Sequence, residues 1–290
     1  MTNSKNRMPQ PVVRATIALF GLAACASVAF AGAPPPAKLD TVKVADDLYV
    51  IHNEAVPGNV TVLITDEGVL LVDDKFAWDV DNVLAEVRKL TSQPIKYVVN
   101  THYHEDHSGG NAKLQAMGVQ VVATERAYRK FVESNQPGKP SVTFETRASI
   151  HLGGKTAELL HFGRAHTDGD LVVYFPAHKV LSMGDMFTVG DATPQLIDYS
   201  GGGSARDWAG TLDGALMLDF NTVVPGHGPV TTKAELRKFR DSTVQLNQRV
   251  RQMIVEKKSR EEIAAILRRD YKWAELHMER SFDGILAELR

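Results

Sequence analysis

The chain has 290 residues, of which 43% are hydrophobic and 23% are charged. This composition is typical of a globular protein, long enough for one large domain or two small ones, and it excludes a disordered or fibrous protein. The formal net charge is only -2. The chain therefore lacks the basic excess that a nucleic-acid partner would require.

The first 31 residues are predicted to be a secretory signal peptide. Three basic residues, Lys5, Arg7 and Arg14, precede or border an apolar stretch of 16 residues, Ala15 to Phe30. Ala29 and Ala31 form a small-x-small cleavage site after it. A membrane-spanning helix needs about 20 apolar residues, so this stretch is too short to anchor the protein by itself. The sequence predicts a periplasmic or secreted protein without a transmembrane domain.

The single cysteine leaves a second route of processing open. Leu22 to Cys25 resembles a bacterial lipobox, in which Cys25 would become the lipid-anchored first residue. Because Val28 and Phe30 continue the apolar stretch beyond it, ordinary cleavage near Ala31 is favoured. In both cases the mature domain contains no cysteine, which excludes a disulfide and a thiolate metal ligand there.

A proline-rich linker over residues 32–40 is predicted to lead into a catalytic domain over residues 41–230. Runs of β-branched residues predict strands, and apolar residues at helical spacing predict helices. In the first half, antiparallel strands are predicted within 41–53 and 59–74, with turns near Asp46 and Gly68. Two further strands are predicted at 95–100 and 119–124. The predicted helices are 79–90, 111–118 and 125–134.

A second set of strands and helices follows. Hairpins are predicted around Gly153-Gly154 and around residues 176–178. A helix over residues 205–219 precedes a strand that runs into a Pro/Gly-rich loop near residue 227. Two capping boxes, Thr232 to Glu235 and Ser259 to Glu262, predict a C-terminal helical segment over residues 231–290, packed on or extending the domain. The pattern indicates two halves, each a sheet with helices.

The loop after the strand at 95–100 carries an unusual cluster of polar residues. Its sequence, NTHYHEDHSGGN at residues 100–111, places His102, His104, Asp106 and His107 within six positions. A chance match to this spacing is expected in fewer than roughly one chain in a thousand. Imidazole and carboxylate are ligands that suit zinc, iron or manganese. His102 and His104 can reach one ion, Asp106 and His107 a second, and Tyr103 and Glu105 are interpreted as spacers that point away.

A site with two metals needs more ligands than this loop supplies. Three further candidates, His166, Asp185 and His227, each follow a predicted strand. Strand ends on one edge of a sheet are where a site can be assembled from distant segments. The remaining histidines and the acids after His166 are interpreted as structural: His52, His151, His161, His178, His277, Asp168 and Asp170.

These ordered elements, from Asp73 in LLVDD to His227, resemble the metallo-β-lactamase superfamily of metallohydrolases over about residues 41–229. The resemblance implies an α+β fold, an αββα sandwich of two mixed β-sheets flanked by helices, with the metals at one edge. It implies one metal bound by His102, His104 and His166, a second bound by Asp106, His107 and His227, and Asp185 as the bridge. Asp73 would order the metal loop through hydrogen bonds.

The implied activity is that of a dinuclear metal-dependent hydrolase. Two ions, zinc in first place and iron or manganese as alternatives, would share a hydroxide that attacks a small ester, lactone, amide or related substrate. Asp106 would be the catalytic residue that orients this hydroxide and passes its proton to the leaving group. Tyr199 and Trp208, in or beside a long polar loop, are candidate contacts of the small-molecule substrate. The sequence leaves the oligomeric state open.

Three alternatives of other kinds remain at this point. A β-lactamase of the cysteine-free type shares the first loop, although such enzymes lack a bridging carboxylate like Asp185. Relatives with a thiolate ligand carry cysteine where Asp185 stands and usually arginine where His107 stands, so this chain matches neither position. A mononuclear-iron thiol dioxygenase would not need His107 and His227. A non-catalytic metal-binding partner protein of the same fold would be expected to have lost ligands.

Overall fold

The computed structural model describes residues 38–53, 58–189 and 195–290. The predicted signal peptide at 1–31, the lipobox cysteine and most of the linker at 32–40 lie outside these residues. None of the helices in the described ranges is long and apolar enough to cross a membrane.

Within the described residues, seven strands form a first mixed sheet in chain order. They are β1 (Asp40–Ala45), β2 (Leu48–His52), β3 (Val60–Ile64), β4 (Val69–Val72), β5 (Ile95–Val99), β6 (Gln120–Thr124) and β7 (Val142–Phe144). The first four pair antiparallel, and β4 to β7 pair parallel. Strands β3 and β4 are buried almost throughout, as expected for strands with both faces covered.

Parallel pairing requires crossover connections, and helices supply three of them here. Helix α1 (Val80–Leu90) links β4 to β5, α3 (Asn111–Ala116) precedes β6, and α4 (Glu125–Glu133) follows it. Helix α1 buries its valine and leucine stripe against this sheet, which confirms the helix predicted from that spacing. A one-turn helix, α2 (Glu105–Ser108), lies inside the segment predicted as a loop.

Six strands form the second mixed sheet in the described part of the chain, in the order β13-β12-β11-β10-β9-β8. They are β8 (Arg147–Leu152), β9 (Lys155–Leu160), β10 (Val172–Phe175), β11 (Val180–Ser182), β12 (Thr222–Val224) and β13 (Thr231–Thr232). The two predicted hairpins are confirmed as β8-β9 and β10-β11, while β11 and β12 pair parallel. Helix α5 (Ala205–Leu216) connects that parallel pair.

The C-terminal segment is helical and packs on the second sheet. It contains α6 (Lys233–Val255), α7 (Arg260–Asp270), α8 (Glu275–Arg280) and α9 (Phe282–Glu288). The capping box at Ser259 and Glu262 is present in full. At Thr232 the side chain accepts a hydrogen bond from the backbone N–H of Glu235. The reciprocal bond from the Thr232 backbone to the Glu235 side chain is not formed, so only one of the two bonds of the predicted capping box is present.

Three apolar clusters define the layers. One joins the first sheet to α1, a second lies between the two sheets, and the third joins the second sheet to α5, α6, α7 and α9. This arrangement confirms the αββα sandwich. Since both sheets are covered on both faces, polar side chains are left to gather at the sheet edges, where loops leave the strands.

Candidate metal centre

The seven predicted metal-binding side chains converge on one edge of the sandwich. Each is carried by a segment that follows a strand: His102 and His104 after β5, Asp106 and His107 on the adjoining α2, His166 after β9, Asp185 after β11 and His227 after β12. Because β11 and β12 run parallel, they deliver Asp185 and His227 to the same edge. The structure therefore brings all seven together.

His102, His104 and His166 form the first group. One ring nitrogen of each lies within 4.8 Å of the others. His104 Nδ1 is 3.1 Å from His102 Nε2 and 2.9 Å from His166 Nε2. His102 and His166 are fully buried. This set of three imidazoles is a donor set suited to a transition-metal ion.

The hydrogen bonds around this first group indicate which nitrogens carry protons. The carbonyl oxygen of Leu196 can only accept, so His166 Nδ1, 2.6 Å away, donates to it. The carboxylate of Asp198 accepts from His104 Nε2 at 2.8 Å. In neutral rings the opposite nitrogens of His166 and His104 therefore carry lone pairs, which face each other at 2.9 Å. Two such lone pairs repel each other unless they share a cation, so this group fits a metal ion.

Asp106, His107, Asp185 and His227 form the second group, again within 4.8 Å. His107 Nε2 is 3.4 Å from Asp106 Oδ2 and 3.2 Å from Asp185 Oδ1. His227 Nε2 is 2.9 Å from that same Asp185 oxygen. Despite these neighbours, the buried Oδ1 of Asp185 has no hydrogen-bond partner among the described residues. A buried carboxylate oxygen without a hydrogen bond is costly, and a cation at this position would satisfy it.

The carboxylate of Asp185 also approaches the first group. Its Oδ2 lies 3.1 Å from His227 Nε2 and 3.7 Å from His166 Nε2. Asp185 is thus the acid of the second group that also faces a histidine of the first. This position suits a carboxylate that contacts ions in both groups.

The two groups differ in electrostatics. Burial, helped by the neighbouring His104, lowers the pKa of His166 to about 4, so this imidazole is neutral at pH 7. Neutral imidazole is the form that binds metal ions. Burial also opposes a charge on His107, but the carboxylates of Asp106 and Asp185 outweigh it and raise the pKa of His107 well above its ordinary value. The second group therefore holds surplus negative charge, which favours a bound cation.

Asp73 forms hydrogen bonds to the loop that carries four of the candidate ligands. Its Oδ1 accepts from the backbone N–H of Thr101 at 2.7 Å. Its Oδ2 accepts from the Thr101 hydroxyl and from His107 Nδ1, both at 2.8 Å. The bond to His107 leaves the opposite ring nitrogen free to face the second group. Burial raises the pKa of Asp73, with His107 acting against it.

Asp198 is a supporting residue that the sequence analysis missed. Its Oδ2 accepts from His104 Nε2 at 2.8 Å and from the Tyr103 hydroxyl at 2.6 Å. Its other oxygen accepts from Ser200 and from the backbone N–H of Gly201. Burial acts to raise the pKa of this carboxyl, but the bonds from His104, Ser200 and Tyr103 lower it far below its usual value. Tyr103 is therefore not a simple spacer.

Gly226, next to His227, allows two chain segments to approach closely. A Cβ atom at this position would lie 2.1 Å from Asp185 Oδ1 and 2.5 Å from the carbonyl carbon of Gly184. The backbone N–H of Gly226 donates to Gly184 O at 2.8 Å, which fixes the approach. Only glycine fits here without displacing Asp185.

The two predicted substrate contacts lie elsewhere. Trp208 is buried in the core beside the second sheet, and its Nε1 donates to Met186 O. The hydroxyl of Tyr199 donates to Glu288 in α9 at 2.8 Å. Neither residue borders the cleft that opens above the metal centre.

Asp170 accepts two hydrogen bonds from Thr167, consistent with its predicted role in the turn.

The centre lies at the floor of a cleft of about 940 Å³. His104, Asp106, Asp185 and His227 reach its surface, whereas the buried His102 does not. Both residues interpreted as spacers, Tyr103 and Glu105, border the cleft as well, so neither points away from it. Four donors of the two groups are thus accessible to a small molecule.

Comparison with known proteins agrees with this geometry. Residues 53–227 match the family model described as the metallo-beta-lactamase superfamily. The chain is 28% identical over 200 residues to a metallo-beta-lactamase type 2 from Bacillus sp. (strain 170), covering 67% of this chain and 76% of the relative. A type 2 enzyme from Bacillus cereus is 28% identical over 195 residues, covering 65% and 74%. A solved metallo-beta-lactamase from Pontibacter korlensis is 27% identical with a TM-score of 0.63, covering 71% of this chain and 99% of that one.

Proposed function

Because the chain belongs to the metallo-beta-lactamase superfamily and is a metal-dependent hydrolase, we propose that it uses two divalent ions to hydrolyse a small ester, lactone, amide or related substrate. His102, His104 and His166 would hold one ion, and Asp106, His107 and His227 the other. Asp185 would contact both. Zinc suits these nitrogen and oxygen donors, and iron or manganese would also be accepted by them.

One observation supports two ions above all others. Asp185 lies between the groups, with one buried oxygen that makes no hydrogen bond in the described chain and another that is 3.7 Å from His166 Nε2. A single ion in the first group would leave the carboxylates of Asp106 and Asp185 only partly compensated by His107. This arrangement also disfavours a mononuclear-iron dioxygenase. The complete donor set disfavours a non-catalytic binding protein.

When bound, the ions would lower the pKa of water and polarise the oxygen of the scissile bond. The residues contribute positioning and proton transfer. Burial acts to raise the pKa of Asp106, but the adjacent His107 lowers it, so this carboxylate is ionised at neutral pH. Asp106 reaches the cleft surface. Its oxygen can accept the proton of the attacking water and return it to the leaving group.

β-Lactam hydrolysis is the second candidate activity. It is favoured by the names of the relatives, which are metallo-beta-lactamases. The carboxylate at Asp185 distinguishes this chain from the thiolate-ligand enzymes that the sequence analysis considered. We therefore place lactones and other small esters first and β-lactams second.

The protein is proposed to act outside the cytoplasm. The basic residues and apolar stretch within residues 1–31 support export, and Cys25 would provide a lipid anchor if the lipobox is used. Mass spectrometry of the amino-terminal peptide of the exported protein separates these routes. A start near residue 32 supports ordinary cleavage, a lipidated Cys25 supports the anchor, and an unprocessed chain contradicts export.

The proposed function is tested by counting metals and assaying substrates on one preparation. Elemental mass spectrometry should find two ions per chain, and Asp185→Ala should bind fewer. The zinc-loaded enzyme is then assayed with a chromogenic cephalosporin, a lactone, a thioester and a phosphodiester. Faster turnover of the lactone supports the proposal, and faster turnover of the cephalosporin supports the second candidate. One ion per chain, or no turnover of any of the four, overturns it.

A further inference from the structure

The C-terminal helix α8 forms part of the cleft wall. Leu276 and Arg280, one turn apart on this helix, both border the cleft above the metal centre. These residues lie beyond the range 53–227 that matches the superfamily model. The cleft therefore has a wall that comes from outside the matched region.

The backbone beside Arg280 is anchored by the next residue, Ser281. Ser281 is fully buried, and its hydroxyl both accepts from Ile197 N and donates to Ile197 O, each at 2.9 Å. Ile197 lies between Leu196, whose carbonyl holds His166, and Asp198, whose carboxylate holds His104. The backbone that carries Arg280 is thus tied to the segment that orients the first metal group.

The guanidinium of Arg280 is not paired with an acidic side chain within the described structure. Among the residues described, this exposed arginine makes no ion pair and no hydrogen bond, and it is the only lysine or arginine that borders the cleft. No ion pair joins it to Glu105, the exposed acid on the same cleft. A cation placed in this way is available to a ligand.

We infer that Arg280 binds an anionic group of the substrate, a carboxylate, while the bond to be cleaved lies at the metal centre. A guanidinium can donate two parallel hydrogen bonds to a carboxylate. Leu276 on the same helix and Phe76 on the cleft wall offer apolar surface for the body of such a molecule. The inference rests on the proposed function and adds a substrate class to it: small carboxylate-bearing esters or lactones.

A matched pair of esters tests this preference. Mono-4-nitrophenyl glutarate carries a free carboxylate, and 4-nitrophenyl valerate is a neutral ester of the same chain length. Arg280→Gln should reduce the ratio of kcat/KM for the charged ester to that for the neutral ester about tenfold, mainly through KM, as expected for a charge-assisted hydrogen bond. Arg280→Lys should recover part of that ratio. A ratio unchanged in Arg280→Gln overturns the inference.

Arg237→Gln is the matched control. Arg237 on α6 is also exposed and also lacks an ion pair among the described residues, but it does not border the cleft. The same charge is removed, so a general effect of net charge would appear in both variants. We expect the ester ratio of Arg237→Gln to equal that of the unmodified protein. An equal reduction in both variants would contradict a local role for Arg280.

A binding measurement separates this inference from the proposed function. Calorimetry with 4-phenylbutyrate and its neutral amide, 4-phenylbutyramide, should show a preference for the carboxylate that falls about tenfold in Arg280→Gln. Repeating the calorimetry on metal-free protein shows whether Arg280 or the metal ions bind the carboxylate. If the preference for the carboxylate is lost on metal removal but not in Arg280→Gln, the metals bind the carboxylate and the inference is overturned. A preference that depends on Arg280, in a protein that hydrolyses neither ester, would support the subsite and contradict the proposed hydrolysis.

Discussion

His104 and Asp198 are joined by a hydrogen bond of 2.8 Å between Nε2 and Oδ2. This bond orients a candidate ligand of the first metal, because it turns the opposite nitrogen of His104 toward His102 and His166. The same carboxylate oxygen accepts from the Tyr103 hydroxyl. Asp198 therefore connects the metal loop to the segment between β11 and α5.

Replacement of Asp198 should weaken metal binding without removing a ligand. In Asp198→Ala the bond to His104 is lost, and we expect metal affinity to fall about 10- to 100-fold, as is typical when a partner of a ligating histidine is removed. Competition with a chelator measures this affinity. Tyr103→Phe retains the bond to His104 and serves as the control, with affinity close to that of the unmodified protein. Unchanged affinity in Asp198→Ala would show that His104 does not depend on this bond.

Asp106 is expected to be required for turnover but not for binding of every metal. Asp106→Ala removes the proposed proton acceptor and one ligand of the second group, while the first group stays intact. Turnover should fall by at least about 100-fold, the contribution typical of general acid–base catalysis. Elemental analysis should still find one ion per chain. Glu105→Ala, which removes the adjacent exposed acid, is the control, and an Asp106→Ala enzyme as active as this control would rule out the assigned role.

The close approach at Gly226 predicts a steric effect on the second metal. In Gly226→Ala the added methyl group would collide with Asp185 Oδ1 and with the Gly184 backbone. We expect a loss of about 1–3 kcal/mol in the free energy of unfolding and reduced occupancy of the second group. Gly210→Ala in α5 is the matched control, since nothing lies within 4 Å of its added atom. It should raise stability by about 0.5–1 kcal/mol, and equal effects of the two changes would contradict the crowding at Gly226.

The buried carboxyl of Asp170 predicts a pH dependence of stability. Burial raises its pKa from 3.8 to about 7, although Thr167 donates two hydrogen bonds to it. Between about pH 4 and pH 7 the folded state therefore holds a proton that the unfolded state has released, so the free energy of unfolding falls as pH rises. The amide in Asp170→Asn does not titrate, so this variant lacks that contribution to the pH dependence.

This pH dependence can be measured as a difference between two proteins. The stability of Asp170→Asn relative to the unmodified protein should increase with pH by up to about 1.4 kcal/mol per unit across that range. Urea denaturation of both metal-free proteins at several pH values gives the two profiles. Parallel profiles would show that Asp170 titrates at the same pH in the folded and unfolded chain.

Much of the fold follows from local sequence signals. The turn at Gly153-Gly154 and the valine and leucine stripe of α1 depend on neighbouring residues, and both predictions were confirmed. Helix α2 was missed because a four-residue helix is too short to show an apolar period.

The candidate ligands could be identified because their spacing and their positions after strands are visible in the chain. Asp198 could not, because its partners Tyr103 and His104 are 95 and 94 positions away and no spacing links them. An acid in a glycine-rich loop is also a common turn residue. Arg280 was missed for a related reason, since an exposed arginine on a helix becomes informative only when the cleft beside it is known.

The pairing of Ser281 with Ile197 has a consequence for how the protein matures. The two residues are 84 positions apart, and Glu288 is 89 positions from the Tyr199 that it holds. During synthesis, the segment that orients His166 and His104 remains without these anchors until residues 281–288 have left the ribosome. The contacts that anchor the segment beside the candidate ligands therefore form only after residues 281–288 have been synthesised.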